Sequence, residues 1–377
     1  MSIKTLSKKM LAIVAAGAMT MGLAMPTSVF AADGGTTTKV TEAYISKTYN
    51  TEVGKSETFS FKATPVAGNT NGVTIPDISF TDSETGSTTR RAKVSFPEWT
   101  AAGKYEYTVK ETAATPAITD EEHQKMIMSQ AEYTMDVYVS NGDNGLEISN
   151  IIVNKKKDDK GEVATGKVDI SDTDNNGFNF TNTYVQEAGT GTDPTNPDPD
   201  YTTYGSLDVS KIIKTDAADT ADTNKDFDFT ANFTFPTGTD GTTFGAKATI
   251  EDSTTTITGA SYTFKLKHNQ NVKFTGLPVG TKISVTESAT PNYKGSADVV
   301  INNGTKETVT ATKYDEALTV SDKSLGQKKN TVDVTNTYNY VPTTGIIMNT
   351  LPYVLMIALC GAALMAFVAF KRRRLQK

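Results

Sequence analysis

The sequence predicts an all-β protein of two tandem domains, and three observations carry the prediction. Short alternating runs rich in Thr, Val, Tyr and Phe fill the middle of the chain, split by Asn-Gly and Asp-Gly turns, with few stretches of helical period. One series of landmarks occurs twice and closes each time on Thr-Asn-Thr-Tyr, at residues 181–184 and 335–338. A proline-rich segment without apolar period lies between the two series, and 377 residues at 37% hydrophobic content suit two ordinary domains better than one core.

Residues 1–31 carry Lys4, Lys8 and Lys9, an apolar run from Met10 to Met25, and Val29-Phe30-Ala31 with small residues where a signal peptidase reads. They predict a signal peptide cleaved after Ala31, and export. The first domain, 32–186, holds the landmarks Ile45-Ser46-Lys47, Phe59-Ser60-Phe61, the run Tyr105 to Glu111, and the run Phe178 to Tyr184. Within it, Tyr133–Ser140 and Leu146–Val153 flank the turn 141–145 and predict a hairpin, and Asp120–Gln130 is the expected short helix. Residues 187–204 contain Pro194, Pro197 and Pro199, which favour an extended, fairly stiff connector. The second domain, 205–340, repeats the order with Val209-Ser210-Lys211, Phe227-Asp228-Phe229, the run Ile283 to Glu287, and the run Val332 to Tyr338. After it come Val341-Pro342-Thr343-Thr344-Gly345, an uncharged span at 346–370, and a basic tail at 371–377. The span is long enough, at helical rise, to cross a hydrocarbon core of about 30 Å, and the basic cluster after it should stay in the cytoplasm.

Strand parity singles out six polar residues. Residues two apart share a face, so Lys47 lies with Ile45, Glu111 with Tyr105, Tyr107 and Val109, and Asn182 with Phe178, Phe180 and Tyr184. In the second domain Lys211 shares a face with Val209 and Ile213, Glu287 with Ile283 and Val285, and Asn336 with Val332, Val334 and Tyr338. One such residue is ordinarily a strand end emerging into water; six in matched order point into two apolar cores. An unpaired buried ammonium or carboxylate costs several kcal/mol, so each core must neutralise or consume its charges.

Lys, Glu and Asn brought together have a chemical way to do so. Desolvation lowers the lysine pKa from about 10.4 and raises that of the glutamate. The neutral amine can attack the Asn carboxamide carbon while the protonated Glu polarises its oxygen and relays protons. Ammonia leaves, and an uncharged intramolecular isopeptide bond remains.

With these residues the chain resembles the Gram-positive, sortase-assembled backbone (major) pilins, whose isopeptide-linked domains are immunoglobulin-like (CnaB-like) β-sandwiches. Glu287 with Pro291 and Tyr293, and Glu111 with Pro116, resemble the family's E box. The resemblance implies a lysine on the first strand and an asparagine on the last, that is Lys47, Glu111 and Asn182, then Lys211, Glu287 and Asn336. Val341 to Gly345 resembles the sortase sorting motif LPxTG with Val in place of Leu, and with the apolar helix and basic tail it completes a tripartite signal. The expected partners are sortase, neighbouring pilin subunits, peptidoglycan, and host-surface ligands by way of a tip subunit; the location is the cell wall and surface of a Gram-positive bacterium. Cleavage between Thr344 and Gly345 would leave a Thr344 acyl-enzyme for attack by a lysine of the next subunit. Relatives place that lysine late in the first domain, where Lys155, Lys156, Lys157, Lys160 and Lys167 lie; Lys167, nearest Asn182, ranks first. For any single one of these lysines a solvated turn is the commoner role.

Other function classes find little support. The two ends carry eight basic and no acidic residues, so their loss moves the net charge from −6 to −14, a surface that repels nucleic acid and anionic lipid; a membrane is expected only for the precursor. The single cysteine, Cys360, lies in the span, leaving the exported domains without a disulfide. Asp172, Asp174 and Asn176 fit the opening of a calcium loop, but Thr183 stands where the bidentate Glu belongs. With two histidines in all, no metal, cofactor or external-substrate enzyme is expected. A structural fibre subunit is thus the first reading, and a wall-anchored adhesin that is never polymerised, or a pilus-base subunit, is the alternative.

Overall fold

The computed structural model describes residues 39–174, 176–215, 221–339 and 344–374. The expected signal peptide and Val341–Thr343 of the sorting motif lie outside the described residues.

The first half contains β1 (Tyr44–Thr51), β2 (Glu57–Pro65), β3 (Ile78–Phe80), β4 (Gly86–Lys93), β5 (Gly103–Thr115), β6 (Gln124–Ile127), β7 (Glu132–Gly142), β8 (Gly145–Lys157), β9 (Val163–Lys167) and β10 (Asn179–Gln186). They form two sheets, ordered β4-β1-β10-β6 and β3-β2-β5-β7-β8-β9. The inner faces are aromatic and β-branched, as a half-buried pleated surface requires. Tyr49, Phe59 and Phe80 meet edge-on or tilted with centroids 5.2–5.8 Å apart, and Tyr133 packs on Phe178 and Phe180.

The second half contains α1 (Pro199–Tyr204), then β11 (Leu207–Thr215), β12 (Phe227–Thr234), β13 (Lys247–Ile250), β14 (Ser253–Thr256), β15 (Ser261–Leu266), β16 (Asn271–Thr275), β17 (Lys282–Glu287), β18 (Tyr293–Val300), β19 (Glu307–Thr310), β20 (Leu318–Ser324) and β21 (Thr331–Tyr338). Its sheets run β14-β13-β16-β11-β21-β18-β19 and β15-β12-β17-β20. Helix α2 (Thr344–Arg374) follows, and its stretch Tyr353–Lys371 is long and apolar enough to cross a membrane. The fold is therefore all-β apart from the short α1 and this anchor helix, with two sandwiches in tandem.

One pairing recurs and positions everything that follows. The first and last strands of each sandwich are parallel neighbours: β1 beside β10, β11 beside β21. Parallel strands cannot be joined by a tight turn, so a whole sandwich is threaded between them.

Three expectations need correction. Asp120–Gln130 is not a helix: Gln124–Ile127 forms β6, antiparallel to β10 from Thr183↔Ile127 to Gln186↔Gln124. Pairing the open edge of β10 outweighs local propensity, and the Tyr184 hydroxyl donates to buried Gln124 at 3.1 Å. The hairpin turn is tighter than 141–145, since Gly142 already pairs with Gly145, whose φ of 112° is open to glycine.

Nor is 187–204 an extended connector. Glu187, Ala188 and Thr190 are buried, and Pro199–Tyr204 is helical. Ala188 N donates to Leu277 O at 2.8 Å, Gly189 N to Gly326 O at 3.1 Å and Gly191 N to Gln327 O at 2.7 Å, so the segment is hydrogen-bonded onto the second sandwich. Gly189 has φ +83°, and a Cβ there would meet Gly205 O at 2.1 Å. The carboxylate of Glu187 collects the junction: it receives bonds from Tyr201 Oη at 2.6 Å, Ser206 Oγ at 2.8 Å and the Gly276 amide, and lies 2.8 Å from His123 Nδ1.

Candidate functional site

Each sandwich buries one lysine, one glutamate and one asparagine in contact. Lys47 and Asn182 are fully buried, as is the Glu111 side chain. Lys47 Nζ lies 2.8 Å from Glu111 Oε2, and Asn182 Nδ2 donates to Glu111 Oε1 at 2.5 Å. In the second sandwich Lys211 Nζ is 2.6 Å from Glu287 Oε1, to which Asn336 Nδ2 donates at 2.7 Å.

The two triads are built by the same local rules. Lys47 pairs with Phe180 and Tyr49 with Asn182; Lys211 pairs with Val334 and Ile213 with Asn336. In both cases the asparagine stands two residues beyond the lysine's own partner, on the same inward face. The glutamate comes from the facing sheet. Glu111 is register partner to Phe61 and Glu287 to Phe229, the second phenylalanine of each Phe-x-Phe landmark. The first phenylalanine covers the amine: Lys47 Nζ is 4.1 Å from the Phe59 ring centroid and Lys211 Nζ is 4.0 Å from that of Phe227. An ammonium gains from an aromatic face, but the ring also takes the place of water.

Electrostatics follow from that burial. Desolvation is the main influence on both amines and brings each down to about 8, against the opposing pull of the neighbouring carboxylate. Desolvation also raises both glutamates, with the lysine partner acting the other way. Each pair is thus poised to trade a proton between amine and acid next to a carboxamide, the state in which the amine is a nucleophile and the acid can protonate a leaving amide nitrogen.

Features beyond the six residues complete the first triad. The main-chain N–H of Ser129 donates to Asn182 Oδ1 at 2.8 Å, and Met128 Sδ sits 3.3 Å from Asn182 Nδ2. Nothing in the sequence marks Ser129, since its contribution is a backbone group on a loop 53 residues from the asparagine. In the second triad Asn336 Oδ1 is buried without a hydrogen-bond partner among the described residues.

The remaining sequence-predicted residues stand elsewhere. Lys155, Lys156 and Lys157 end β8, with Lys155 over the Tyr133 ring and Lys157 3.5 Å from Glu132; Lys160 is in the following turn, and Lys167 ends β9 opposite Asn154. Lys156, Lys160 and Lys167 are exposed. Thr344 and Gly345 begin α2. Among the described residues no group of three His, Cys, Asp or Glu could hold a metal ion, and Asp172 and Asp174 instead bind Arg91 at 2.8 and 2.6 Å.

Comparison with known proteins identifies the first sandwich. Residues 43–185 match the Spy0128-like isopeptide containing domain, and residues 205–338 match a domain of unknown function, DUF7601. No curated protein matches the chain. Among solved structures, the major pilin T3.2 of Streptococcus pyogenes is 20% identical, covering 79% of this chain and 99% of its own, with a TM-score of 0.32. The major pilin T-13 of the same organism is 17% identical over 80% and 98%, with a TM-score of 0.32; the pilus-presented adhesin Cpa is 14% identical over 55% and 35%, with a TM-score of 0.25. The family match is thus confined to the first sandwich: residues 43–185 are similar to the Spy0128-like isopeptide containing domain.

Proposed function

We propose that the chain is the structural backbone subunit of a covalently polymerised surface pilus, and that each triad condenses once into a Lys–Asn isopeptide bond. The observation that carries this reading is the duplicated triad, with its matched register and its burial from water. Lys47 Nζ attacks Asn182 Cγ; Glu111 accepts the amine proton through Oε2 and gives a proton to Nδ2 through Oε1; the C–Nδ2 bond breaks and ammonia departs. Counted from the Lys47 ammonium and Glu111 carboxylate, the proton left over after neutral ammonia departs stays on Glu111, so two buried charges have become a neutral amide and a neutral acid. Lys211, Glu287 and Asn336 follow the same course. Each glutamate acts for a single turnover, so the protein is structural rather than an enzyme.

The bonds have a mechanical consequence. Because β1 neighbours β10 and β11 neighbours β21, a bond across each pair carries tension from residue 47 directly to 182, and from 211 to 336. The intervening strands bear no load.

Assembly would use Val341 to Gly345, cut by sortase between Thr344 and Gly345, with α2 holding the precursor in the membrane and the final subunit passed to peptidoglycan at the cell surface. The amine of the next subunit is assigned to Lys167 before Lys160, Lys157, Lys156 and Lys155, because it is exposed and stands nearest Asn182 in the sequence. Expression in a Gram-positive host with its sortase tests this: a ladder of high-mass species on a denaturing gel is expected, reduced to monomer by Lys167→Ala. A single wall-attached band from the unaltered chain would instead support a non-polymerised adhesin or a pilus-base subunit.

A further inference from the structure

The two triads are alike in amine, acid and carboxamide, yet they differ at the oxygen where charge develops. When Lys47 adds to Asn182, the C=O electrons move onto Oδ1, and a donor already aimed at that oxygen stabilises the tetrahedral species without reorganisation. Ser129 N–H is such a donor, at 2.8 Å. Its position is held by Asp159: Ser129 Oγ donates to Asp159 Oδ1 at 2.6 Å, Thr181 N to the same oxygen at 2.8 Å, and Gln130 N to Asp159 O at 3.0 Å. Asp159 therefore ties the loop carrying the donor to the strand carrying the electrophile, one residue before Asn182. Asn336 Oδ1 in the second sandwich has no donor among the described residues. The acids differ as well: Glu111 uses one oxygen for the amine and the other for the amide, whereas Glu287 Oε1 meets both.

We propose that the Ser129 main-chain N–H is the oxyanion donor for closure of the first sandwich, that Asp159 is the residue positioning it, and that the first bond consequently forms faster than the second. This rests on the isopeptide reading above. The charge of Asp159 also acts on both reacting groups, favouring the protonated form of Lys47 and of Glu111.

The test is a pulse of cell-free synthesis of the full chain, quenched in acid at intervals and digested, with the Lys47–Asn182 and Lys211–Asn336 linked peptides quantified separately by mass. Counted from arrest of translation, when both sandwiches are complete, the first linked peptide of the unaltered chain should form with the larger rate constant. Asp159→Ala should slow the first by on the order of tenfold or more, within the range for a lost oxyanion donor, and leave the second unchanged. Asp159→Asn, which keeps the accepting oxygen, should recover most of the rate, a rescue that a purely charge-based role would not give, and Asp159→Leu, which fills similar space without an acceptor, should not recover it. Should Asp159→Ala prevent the first sandwich from folding, the two closure rate constants of the unaltered chain after arrest and the Asp159→Asn rate decide the matter. Closure of the first bond no faster than the second, or at an unchanged rate in Asp159→Ala, overturns the inference and leaves the isopeptide reading intact. Absence of both linked peptides overturns the two together.

Discussion

Asn336→Ala removes the electrophile of the second sandwich while leaving the Lys211–Glu287 pair in place. The closed loop lost is 125 residues, from Lys211 to Asn336. By loop-closure entropy a cross-link of that length stabilises by about 5 kcal/mol. The entropy of unfolding of a sandwich this size is about 0.3 kcal/mol/K, so the same free energy corresponds to a fall in Tm of roughly 15–20 °C for that unit. Differential scanning calorimetry of the chain without α2 measures it, with Asn182→Ala as the mirror experiment on the first sandwich. Measured against its own sequence mass, the variant should lack one ammonia fewer than the unaltered protein does. An unchanged melting profile together with an unchanged mass deficit would refute the reasoning, because no bond would then have depended on this carboxamide.

Further outcomes follow from the same geometry. In unlinked Asn336→Ala, Lys211 titrates at about 8 when folded but at its ordinary value near 10.5 when unfolded. The unfolded chain thus binds more protons between those values, and stability should rise with pH across that window; the linked chain, whose amide does not titrate, should show no such rise in urea titrations. Closure itself should slow above pH of about 8, where the Lys–Glu pair loses the proton that departing ammonia needs. Stretched by its ends in a force spectrometer, the linked chain should release neither of the segments 48–181 and 212–335, worth about 440 and 410 Å of contour length, while Glu111→Ala and Glu287→Ala should each release one. Glu187→Ala strands the Tyr201, Ser206 and Gly276 donors at a cost of about 1–3 kcal/mol each, so residues 187–204 should become sensitive to limited proteolysis while both sandwiches stay folded.

How much of this could be read from the sequence depends on the range of the interactions. Period-2 parity needs only neighbours along the strand, and it places Lys47, Glu111, Asn182 and their counterparts inward, where the structure has them meet. The pairing that brings lysine to asparagine is written in no local pattern; only the duplication of landmarks hinted at it. The roles of Phe59 and Phe227 as covers over the amines emerge only once the sheets face each other. Gln124–Ile127 reads as helix because its strand partner, β10, lies about 60 residues away, and 187–204 reads as an open connector because the carbonyls that bind Ala188, Gly189 and Gly191 belong to residues 277–327. Ser129 contributes a main-chain group, which carries no residue signature, and Asp159 acts through a turn between β8 and β9 whose composition is that of any solvated loop.

The most direct test is a peptide map with intact mass of the unaltered chain without α2. Loss of two molecules of ammonia is expected, with Lys47 joined to Asn182 and Lys211 to Asn336, and with one ammonia regained in each of Glu111→Ala and Glu287→Ala. Recovery of these lysines and asparagines in separate, unmodified peptides would contradict the account.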